Sequence, residues 1–540
     1  MSSVKAAEAR PSAQRIAVHE ARGEWPRPPL STRLADRLAR APDVINFTVD
    51  GTSITVRDLA ERVARLASGL RRRGIGPGDV VSWQLPGWIE GVVLTFALDR
   101  IGAISNPLLP ILRERELSFI LREVRSRALV VPGRWRGFDH RELARTLRSG
   151  APELEHVFVA RAEPLAGQHA LDEVLGAMAD PGLPPSPLSA HDTSAVFYTS
   201  GTTSDPKGVL HTPSTLGSFM DIQQELIGPA GRVSILWFPL THIGGIAAFA
   251  VGPVAHGTRT VFLEPFDAAR GLELIEREGV TSAGGPTPIL QALLATPGFT
   301  TERVRSVEIA GIGATDVPAE LVRAVARQLD CFVYRSYGMT ECPMATAGRR
   351  GDSEEALATT DGRPTPGVVL RVVDEVGRPR PAGCEGEIEL FGPQLCVGYV
   401  DAERTREAFR PDGFIRTGDL AVVDDAGFVR ITGRTKEVIL RKGETLSARA
   451  IEDDLHAHPG VAQVAVVGLP DAASGERVCA CIVVRPGVEA LDVASVRRFM
   501  SERGAMAQRI PEQVEILDEL PRNATGKVLK HELRARFGRP

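Results

Sequence analysis

The stretch "LAERVARLASGLRRRGIGPGDVVSWQL", residues 59–85, decides the fold class because a helix pattern is followed at once by a strand pattern. Apolar residues recur there at helical spacing, at Leu59, Val63, Leu66 and Leu70. Three arginines and Gly74 then suit the C-terminus of a helix. The run "DVVSWQL" predicts a buried strand, and residues 88–101 predict the next helix.

The same alternation continues along the chain and then changes twice. Short apolar runs such as "ALVVP", "HVFVA" and "SAVFYT" predict further strands, so we expect parallel sheets covered by helices. After about Asp361 the chain becomes a series of short strands with Gly/Pro turns, which indicates a β-rich subdomain. Beyond Arg434, strands and helices interleave again in a unit of roughly a hundred residues, which indicates a small α+β domain.

The composition indicates a globular chain without a nucleic-acid footprint. At 540 residues and 43% hydrophobic content, the chain is long enough for more than one domain and apolar enough for large cores. This excludes a disordered or fibrous protein. The 64 basic and 68 acidic residues leave a net charge of −4 and form no long run of one sign. We therefore expect a small-molecule partner and no nucleic acid.

Cysteine usage and the chain start indicate a cytoplasmic protein. Six cysteines are too few for a disulfide framework and lack the paired spacing of a zinc site. Residues 1–25 are polar where a signal peptide has an apolar core, so we expect a loosely ordered extension there. The most apolar stretch, residues 233–257, is interrupted by Pro239, His242 and Pro253, which indicates buried core and no membrane span.

The run "YTSGTTSDPKG", residues 198–208, has the composition of a phosphate-binding loop. Its small residues let backbone N–H groups approach an anion, and Lys207 adds a full charge. Further donors come from the hydroxyls of Thr199, Ser200, Thr202 and Thr203. The run is not a Walker loop, because Gly208 follows the lysine where that pattern needs Ser or Thr. On this segment alone an ordinary polar turn remains an alternative.

Three further clusters carry residue types suited to a nucleotide. In "YRSYGMTECP", Tyr337 offers a flat ring for a base and Glu341 a carboxylate for Mg²⁺ near phosphates. In "IRTGDL" and "ITGRTKE", Asp419 can accept the hydroxyls of a ribose and Arg434 can reach ribose or phosphate oxygens. Lys527 in "LPRNATGKVLK" is unremarkable by itself and gains interest only from the other motifs.

These motifs occur in a fixed order together with "FPLTHIGG" and "GIGAT", and in this the sequence resembles the adenylate-forming superfamily of acyl-CoA synthetases, peptide-synthetase adenylation domains and luciferases. The resemblance covers nearly the whole chain. It implies an α/β fold: a large N-terminal domain, residues 1–434, of two stacked αβαβα-type sheets plus a β-rich subdomain, and a small mobile α+β C-terminal domain, residues 435–540. It also implies two reactions. A carboxylate attacks the α-phosphate of MgATP to give acyl-AMP and pyrophosphate, and a thiol then displaces AMP.

The resemblance assigns a role to each motif residue. The residues that it implies for binding the β- and γ-phosphates are Thr199, Ser200, Gly201, Thr202, Thr203 and Lys207. Adenine is framed by Gly313, Ala314, Thr315 and Tyr337. Thr340 contacts the α-phosphate and Glu341 binds Mg²⁺. Asp419 holds the ribose with support from Arg434, and Lys527 stabilises the charge that develops between carboxylate and α-phosphate.

The thiol step is assigned by the same resemblance to a rotation of the C-terminal domain. Its hinge is Lys436, and the rotation carries Lys527 away while the "RKGET" loop, with Gly443, moves towards a thiol tunnel. The resemblance also implies that His242 lies between the acyl site and the thiol channel. The implied cofactors and substrates are therefore ATP, Mg²⁺ and CoA.

Fewer residues bear on the identity of the carboxylic acid substrate. The stretch "WFPLTHIGGIAAFAVG" contains no aspartate to pair with an amino group, which favours an acid without one. Together with an expected apolar lining, this leads to the hypothesis of a medium-sized aliphatic or alicyclic acid. We expect an apolar lining from Gly244, Gly245, Gly284, Gly285, Ile289, Ala310 and Met339. Ser204, where most relatives have glycine, matches a cyclohexanecarboxylate-CoA ligase branch.

Other functions remain open from the sequence alone. They include an acyl-AMP ligase that loads a carrier-protein phosphopantetheine, an enzyme that adenylates amino acids or aryl acids, and a non-catalytic nucleotide-binding protein. The presence of both Lys527 and Glu341 argues against the non-catalytic alternative. The oligomeric state also remains open, a homodimer included.

Overall fold

The structure is a computed structural model, and it describes most of the chain in segments separated by short gaps. The described residues are 6–176, 178–199, 206–228, 232–313, 317–435, 437–441, 444–471, 474–488, 491–503, 505–522 and 528–538. Within them, no helix combines the length and the apolar composition needed to cross a bilayer.

The first part of the chain alternates helices and strands as its sequence pattern predicts. The helices are a 3₁₀-turn (Ala6–Glu8), α1 (Ala13–Ala21), α2 (Leu30–Arg40), α3 (Val56–Arg72), α4 (Ile89–Ile101), α5 (Glu114–Glu123), α6 (His140–Arg148) and α7 (Leu171–Leu175). The strands are β1 (Ile45–Val49), β2 (Thr52–Thr55), β3 (Val80–Trp83), β4 (Ile104–Pro107), β5 (Ala128–Pro132), β6 (Arg134–Trp135), β7 (Phe138–Asp139), β8 (His156–Ala160), β9 (His169–Ala170) and β10 (Ala195–Thr199).

The middle of the chain continues this alternation and adds a π-helix. The helices are α8 (Pro213–Ile227), the π-helix (Gly245–Val251), α9 (Gly252–His256), α10 (Ala268–Glu278), α11 (Thr287–Leu294), a 3₁₀-turn (Thr301–Val304), α12 (Ala319–Leu329) and α13 (Glu354–Thr359). The strands are β11 (Lys207–His211), β12 (Val233–Leu236), β13 (Arg259–Phe262), β14 (Ile309–Ile312), β15 (Phe332–Met339) and β16 (Cys342–Ala347).

The last part is richer in strands, as the Gly/Pro-rich texture after Asp361 predicts. The strands are β17 (Arg363–Pro364), β18 (Val369–Val373), β19 (Gly386–Phe391), β20 (Gly398–Tyr399), β21 (Ile415–Val423), β22 (Val429–Arg434), β23 (Val438–Arg441), β24 (Glu444–Ser447), β25 (Val461–Asp471), β26 (Gly475–Val484) and β27 (Gln513–Ile516). The helices are α14 (Ala402–Ala408), α15 (Ala448–His456), α16 (Val493–Glu502), a 3₁₀-turn (Ala507–Arg509) and α17 (Lys530–Phe537).

In the described residues, the strands form two large sheets, one sheet in the β-rich subdomain (here called the β-rich sheet) and one C-terminal sheet. One large sheet has the order β20-β11-β10-β4-β3-β5-β8-β9, with parallel pairing from β10 through β9. The other joins β12-β13-β1-β2 to β14-β15-β16-β17 through bridges at Ser282. The β-rich sheet is β18-β19-β21-β22, and the C-terminal sheet is β24-β23-β26-β25 with β27 beside β26.

Helix α3 shows why the opening stretch folds as its pattern predicts. Its predicted stripe is buried, with exposures of 4% or less at Leu59, Val63, Leu66 and Leu70. Thr55 and Asp58 close its N-terminus as a capping box. Gly74 has a φ of 81° just beyond Arg73, and this left-handed conformation lets the chain turn into β3.

The expectation of a loosely ordered N-terminal extension is wrong for the described residues from Ala6 onward. Ser12 caps helix α1, and the buried Arg15 donates through Nη1 to the Cys396 carbonyl at 2.6 Å. Burial lowers the pKa of Arg15 to about 10. The His19 ring stacks on Phe391 with centroids 5.0 Å apart. These partners lie more than 370 residues away, so local sequence gives no sign of them.

Candidate active site

The phosphate-loop motif lies on the hairpin of β10 and β11. The two strands pair antiparallel with Thr199 opposite Lys207, so both residues stand at the base of the loop that joins the strands. A side chain at Gly208 would have no room, because its Cβ would lie 2.8 Å from Val400 Cγ2 and 2.9 Å from Tyr198 Cζ. This close packing fixes the backbone from which the Lys207 side chain extends.

Lys207 and Glu341 share one neighbour, Tyr399 of β20. The Lys207 ammonium lies over the Tyr399 ring, 5.6 Å from its centroid, and the Tyr399 hydroxyl donates to Glu341 Oε1 at 2.6 Å. Glu341 is only 5% exposed. Burial raises the pKa of its carboxyl, whereas the Tyr399 hydrogen bond and the Lys207 charge lower it. Sequence reasoning missed Tyr399, because 58 residues separate it from Glu341 and no local pattern marks it.

Tyr337, Asp419 and Arg434 form the other half of the site. Asp419 of β21 is the cross-strand partner of Arg434 of β22, and Arg434 Nε lies 2.8 Å from Asp419 Oδ1. The Tyr337 hydroxyl, from β15, donates to Asp419 Oδ2 at 2.7 Å. Burial and the Asp419 charge raise the pKa of Tyr337, so this hydroxyl remains a donor. Residues of two different sheets therefore hold the Asp419 carboxylate in one orientation.

The two halves adjoin each other. The Asp419 charge acts on Glu341, and the Glu341 charge acts on Arg434, so the two carboxylates and their cations belong to one cluster. Gly313 stands at the end of β14, where a Cβ would lie 2.8 Å from the Ser336 hydroxyl oxygen and 2.9 Å from its carbonyl oxygen. Glycine at this position therefore lets β14 approach the part of β15 that carries Tyr337.

His242 is positioned by a different set of elements, between β12 and the π-helix. The Gly244 N–H donates to His242 Nδ1 at 3.2 Å, so the ring carries its proton on Nε2, and burial lowers its pKa. The residues after it wind as the π-helix, a rare form that is frequent at functional sites. Trp237 precedes the segment, and its indole N–H donates to Gly284 O at 2.7 Å. This part of the chain thus offers the neutral imidazole of His242 and the indole ring of Trp237, which its hydrogen bond holds in place.

The predicted apolar lining is divided between two buried clusters. Ile289 and Ala310 pack in one cluster with Trp237 and Ile312. Met339 packs against another cluster, to which Tyr399 belongs. The structure therefore brings only part of the predicted set together around Trp237.

Glu264 is a titratable group near the acyl segment that sequence reasoning did not single out. It follows β13, and its Oε2 lies 2.8 Å from the place where a Cβ of Gly87 would be. Burial raises the pKa of its carboxyl from 4.5 to about 7, against the opposing effect of backbone hydrogen bonds from Gly87 and Leu240. Neutral Glu264 is thus the form that the fold prefers.

This preference predicts a pH dependence of stability. Because the folded-state pKa is raised, Glu264 stabilises the fold fully below pH 4.5, and this contribution is lost as the pH rises through about 7. We expect the stability of Glu264→Gln not to fall in this way as the pH rises. Its melting temperature relative to wild type should therefore be higher at pH 8 than at pH 5. The difference corresponds to at most about 3 kcal/mol. Thermal unfolding of both proteins at the two pH values measures it, and an equal difference at both would contradict the prediction.

Some predicted site residues lie outside the described residues. They are Ser200, Gly201, Thr202, Thr203, Ser204, Ala314, Thr315, Lys436, Gly443 and Lys527. Their roles remain predictions from the family resemblance.

The described residues fit a nucleoside triphosphate and a magnesium ion. ATP needs a cation for its phosphates, a flat or apolar wall for its base and an acceptor for its ribose hydroxyls, which Lys207, Tyr337 and Asp419 supply. Mg²⁺ prefers oxygen ligands. An ionised carboxylate as buried as Glu341 is stabilised by a bound cation, because burial alone disfavours its charge.

Comparison with known proteins assigns the chain to a family. Residues 34–400 match the family described as AMP-binding enzyme, and residues 450–527 match the AMP-binding enzyme C-terminal domain. The chain belongs to the AMP-binding enzyme family. The predicted α/β fold with a large N-terminal and a smaller C-terminal domain is confirmed, and so is the prediction of an AMP-forming, ATP-dependent acid ligase.

Relatives within this family differ in their acids. The chain is 30% identical over 533 residues to the medium-chain fatty-acid-CoA ligase of Escherichia coli (strain K12), covering 96% of this chain and 92% of the relative. It is 31% identical over 520 residues to the 2,3-dihydroxybenzoate-AMP ligase of Bacillus subtilis (strain 168), covering 95% and 94%. The ATP-bound crystal structure of MatB from Rhodopseudomonas palustris superposes with a TM-score of 0.86 at 29% identity, covering 94% and 98%.

Proposed function

We propose that the protein is an acyl-CoA synthetase for a medium-sized aliphatic or alicyclic carboxylic acid. In the first step a carboxylate oxygen of the acid attacks the α-phosphorus of ATP, the bond to the β-phosphate oxygen breaks, and acyl-AMP and pyrophosphate result. In the second step the thiol of CoA loses its proton to solvent, the thiolate sulfur attacks the acyl carbon, the bond to the AMP oxygen breaks, and the acyl thioester and AMP are released. Adenylation is needed because a free carboxylate is a poor electrophile.

The observation that carries this proposal is the cluster formed by Lys207, Glu341, Tyr337, Asp419 and Arg434. These residues come from three sheets and adjoin one another through Tyr399 and through the charges of the two carboxylates. The cluster offers a cation, a metal ligand, an aromatic hydroxyl and a ribose acceptor in one place. This set suits adenosine with its phosphates.

Each residue of the cluster has a separate part in the first step. Asp419, fixed by Tyr337 and Arg434, orients the ribose. Lys207 neutralises phosphate charge from the base of the loop. Glu341 and Thr340 lie at the turn between β15 and β16, and Glu341 is the residue that would hold the metal. Mg²⁺, when bound, neutralises negative charge on the phosphates and polarises them for attack.

The acid side of the proposal is supported by the segment around His242. Residues 237–252 contain no aspartate for a substrate ammonium, and the His242 imidazole is neutral. Trp237, Ile289 and Ala310 supply apolar surface in one cluster. An uncharged, apolar acyl chain fits this chemistry, and a cyclohexanecarboxylate-like acid is the member of that class that we favour.

The acceptor side rests on the C-terminal unit. We assign residues 435–540 to a domain that moves about Lys436 and presents the Gly443 loop to the thiol. The change of sheet supports this boundary, because β22 ends at Arg434 and β23, which begins at Val438, pairs in the C-terminal sheet. CoA is the proposed acceptor, and a carrier-protein phosphopantetheine is the alternative.

A screen of acids for pyrophosphate release tests the function. Linear, branched, alicyclic and aromatic acids, with an amino acid as a negative control, are each incubated with the protein and MgATP. Parallel reactions contain CoA, a phosphopantetheinylated carrier protein or neither. We expect pyrophosphate release with alicyclic or medium aliphatic acids and thioester formation with CoA. Release only with aryl acids, or thioester only on the carrier protein, would contradict the proposal.

A further inference from the structure

His211, at the end of β11, contacts the turn that carries Thr340 and Glu341. The ring is fully buried, and its Nε2 lies 2.8 Å from the Thr340 carbonyl oxygen. Its Nδ1 lies 3.0 Å from the Thr215 hydroxyl oxygen, at the start of α8. One side chain thus joins the phosphate-loop hairpin, a helix N-terminus and the turn that carries the proposed metal ligand.

These two contacts determine the protonation of the ring. A carbonyl oxygen can only accept, so Nε2 carries the proton and donates to Thr340. Nδ1 is then an acceptor for the Thr215 hydroxyl. Burial lowers the pKa of His211 to about 4, so the ring is neutral, and the hydrogen bond to the Thr340 carbonyl selects this tautomer. The His211 and Phe197 rings also pack in a T-shaped arrangement, with centroids 5.9 Å apart.

The turn that His211 contacts does not have the backbone conformation that two-residue hairpin turns favour. Met339 pairs with Cys342, so Thr340 and Glu341 are the two central residues of a hairpin turn. Favoured two-residue hairpin turns need positive φ, which neither residue has. The central peptide of this turn joins Thr340 to Glu341. The carbonyl of this central peptide is the one that accepts the hydrogen bond from His211.

We infer that His211 is a positioning residue for nucleotide and metal binding, because it fixes the Thr340–Glu341 peptide and with it the direction of the Glu341 carboxylate. The other contacts of Glu341 act at different atoms, since Tyr399 binds its Oε1 and the Cys396 N–H donates to its carbonyl at 2.7 Å. The peptide before Glu341 is held by His211. This inference rests on the proposed metal role of Glu341.

The test compares His211→Leu and His211→Gln with wild type by calorimetric titration of ATP, with Mg²⁺ and with the metal removed. The leucine variant lacks the donor, whereas a glutamine amide reaches the position of Nε2 and can donate to Thr340. We expect His211→Leu to weaken MgATP binding by about 10-fold with little change for metal-free ATP, and His211→Gln to recover most of the affinity.

His140→Leu is the matched control. His140 is likewise fully buried, and its Nε2 lies 3.0 Å from a backbone carbonyl oxygen, that of Pro110. We expect it to lower the melting temperature about as much as His211→Leu while MgATP affinity stays at the wild-type value. Equal MgATP affinity in the two leucine variants would overturn the inference, as would equal losses with and without metal. If wild type binds MgATP no better than metal-free ATP, the metal site of the proposed function fails along with the inference, and the wild-type titration alone shows it.

Discussion

Lys527→Ala is expected to lose acid-dependent ATP–pyrophosphate exchange by about 100- to 1000-fold, the usual cost of removing one preorganised group that stabilises transition-state charge. The reason is electrostatic. When the carboxylate attacks the α-phosphate, two negatively charged groups approach each other, and a lysine between them offsets the repulsion. Exchange measured with the best acid of the screen gives the loss directly.

The thioester step provides the internal control for this variant. Lys527 is proposed to move away before that step, so Lys527→Ala should form thioester from supplied acyl-AMP and CoA at the wild-type rate. Helix α17, which the structure describes from Lys530 onward, is itself held in place, because Lys530 Nζ lies 2.8 Å from Glu452 Oε1 and 3.4 Å from Glu437 Oε2. Equal loss of both reactions would remove the assigned role of Lys527.

The residues of the proposed nucleotide site were predicted from the sequence because each of their motifs is local. The motifs "YGMTE", "TGD" and "GRTKE" each include a residue of β15, β21 or β22, and these strands bring Tyr337 and Arg434 within hydrogen-bonding distance of Asp419. The helix and strand pattern was equally local, as the buried stripe of α3 shows. Local signals of this kind predicted the fold class and the motif residues.

The supporting contacts were missed because they depend on tertiary packing. Tyr399 reaches Glu341 across 58 residues and His211 reaches Thr340 across 129. His211 lies on β11, the second strand of the phosphate-loop hairpin, yet a histidine at the end of a strand is usually a core residue. Its only sequence signal is a position on a short apolar strand where a polar side chain needs a buried partner. The tertiary structure is needed to identify this partner, because it places the turn after β15, with Thr340, beside His211.

Glu341→Gln is expected to lower acid-dependent exchange by about 100-fold and to raise the Mg²⁺ concentration needed for half-maximal rate. The substitution removes the charge and keeps the shape. Its amide oxygen can still accept the hydrogen bond that the Tyr399 hydroxyl donates to Glu341 Oε1 at 2.6 Å. The position of the side chain is therefore preserved while its affinity for a cation is lost.

Stability separates this effect from unfolding. Because burial raises the pKa of Glu341, its ionised form costs the folded protein free energy at neutral pH, and the glutamine variant should melt no lower than wild type. Glu264→Gln makes the same chemical change at another largely buried glutamate with a raised pKa, and its Mg²⁺ dependence should match wild type. A Glu341→Gln variant that melts like wild type and also keeps the wild-type Mg²⁺ dependence would show that the metal is held elsewhere.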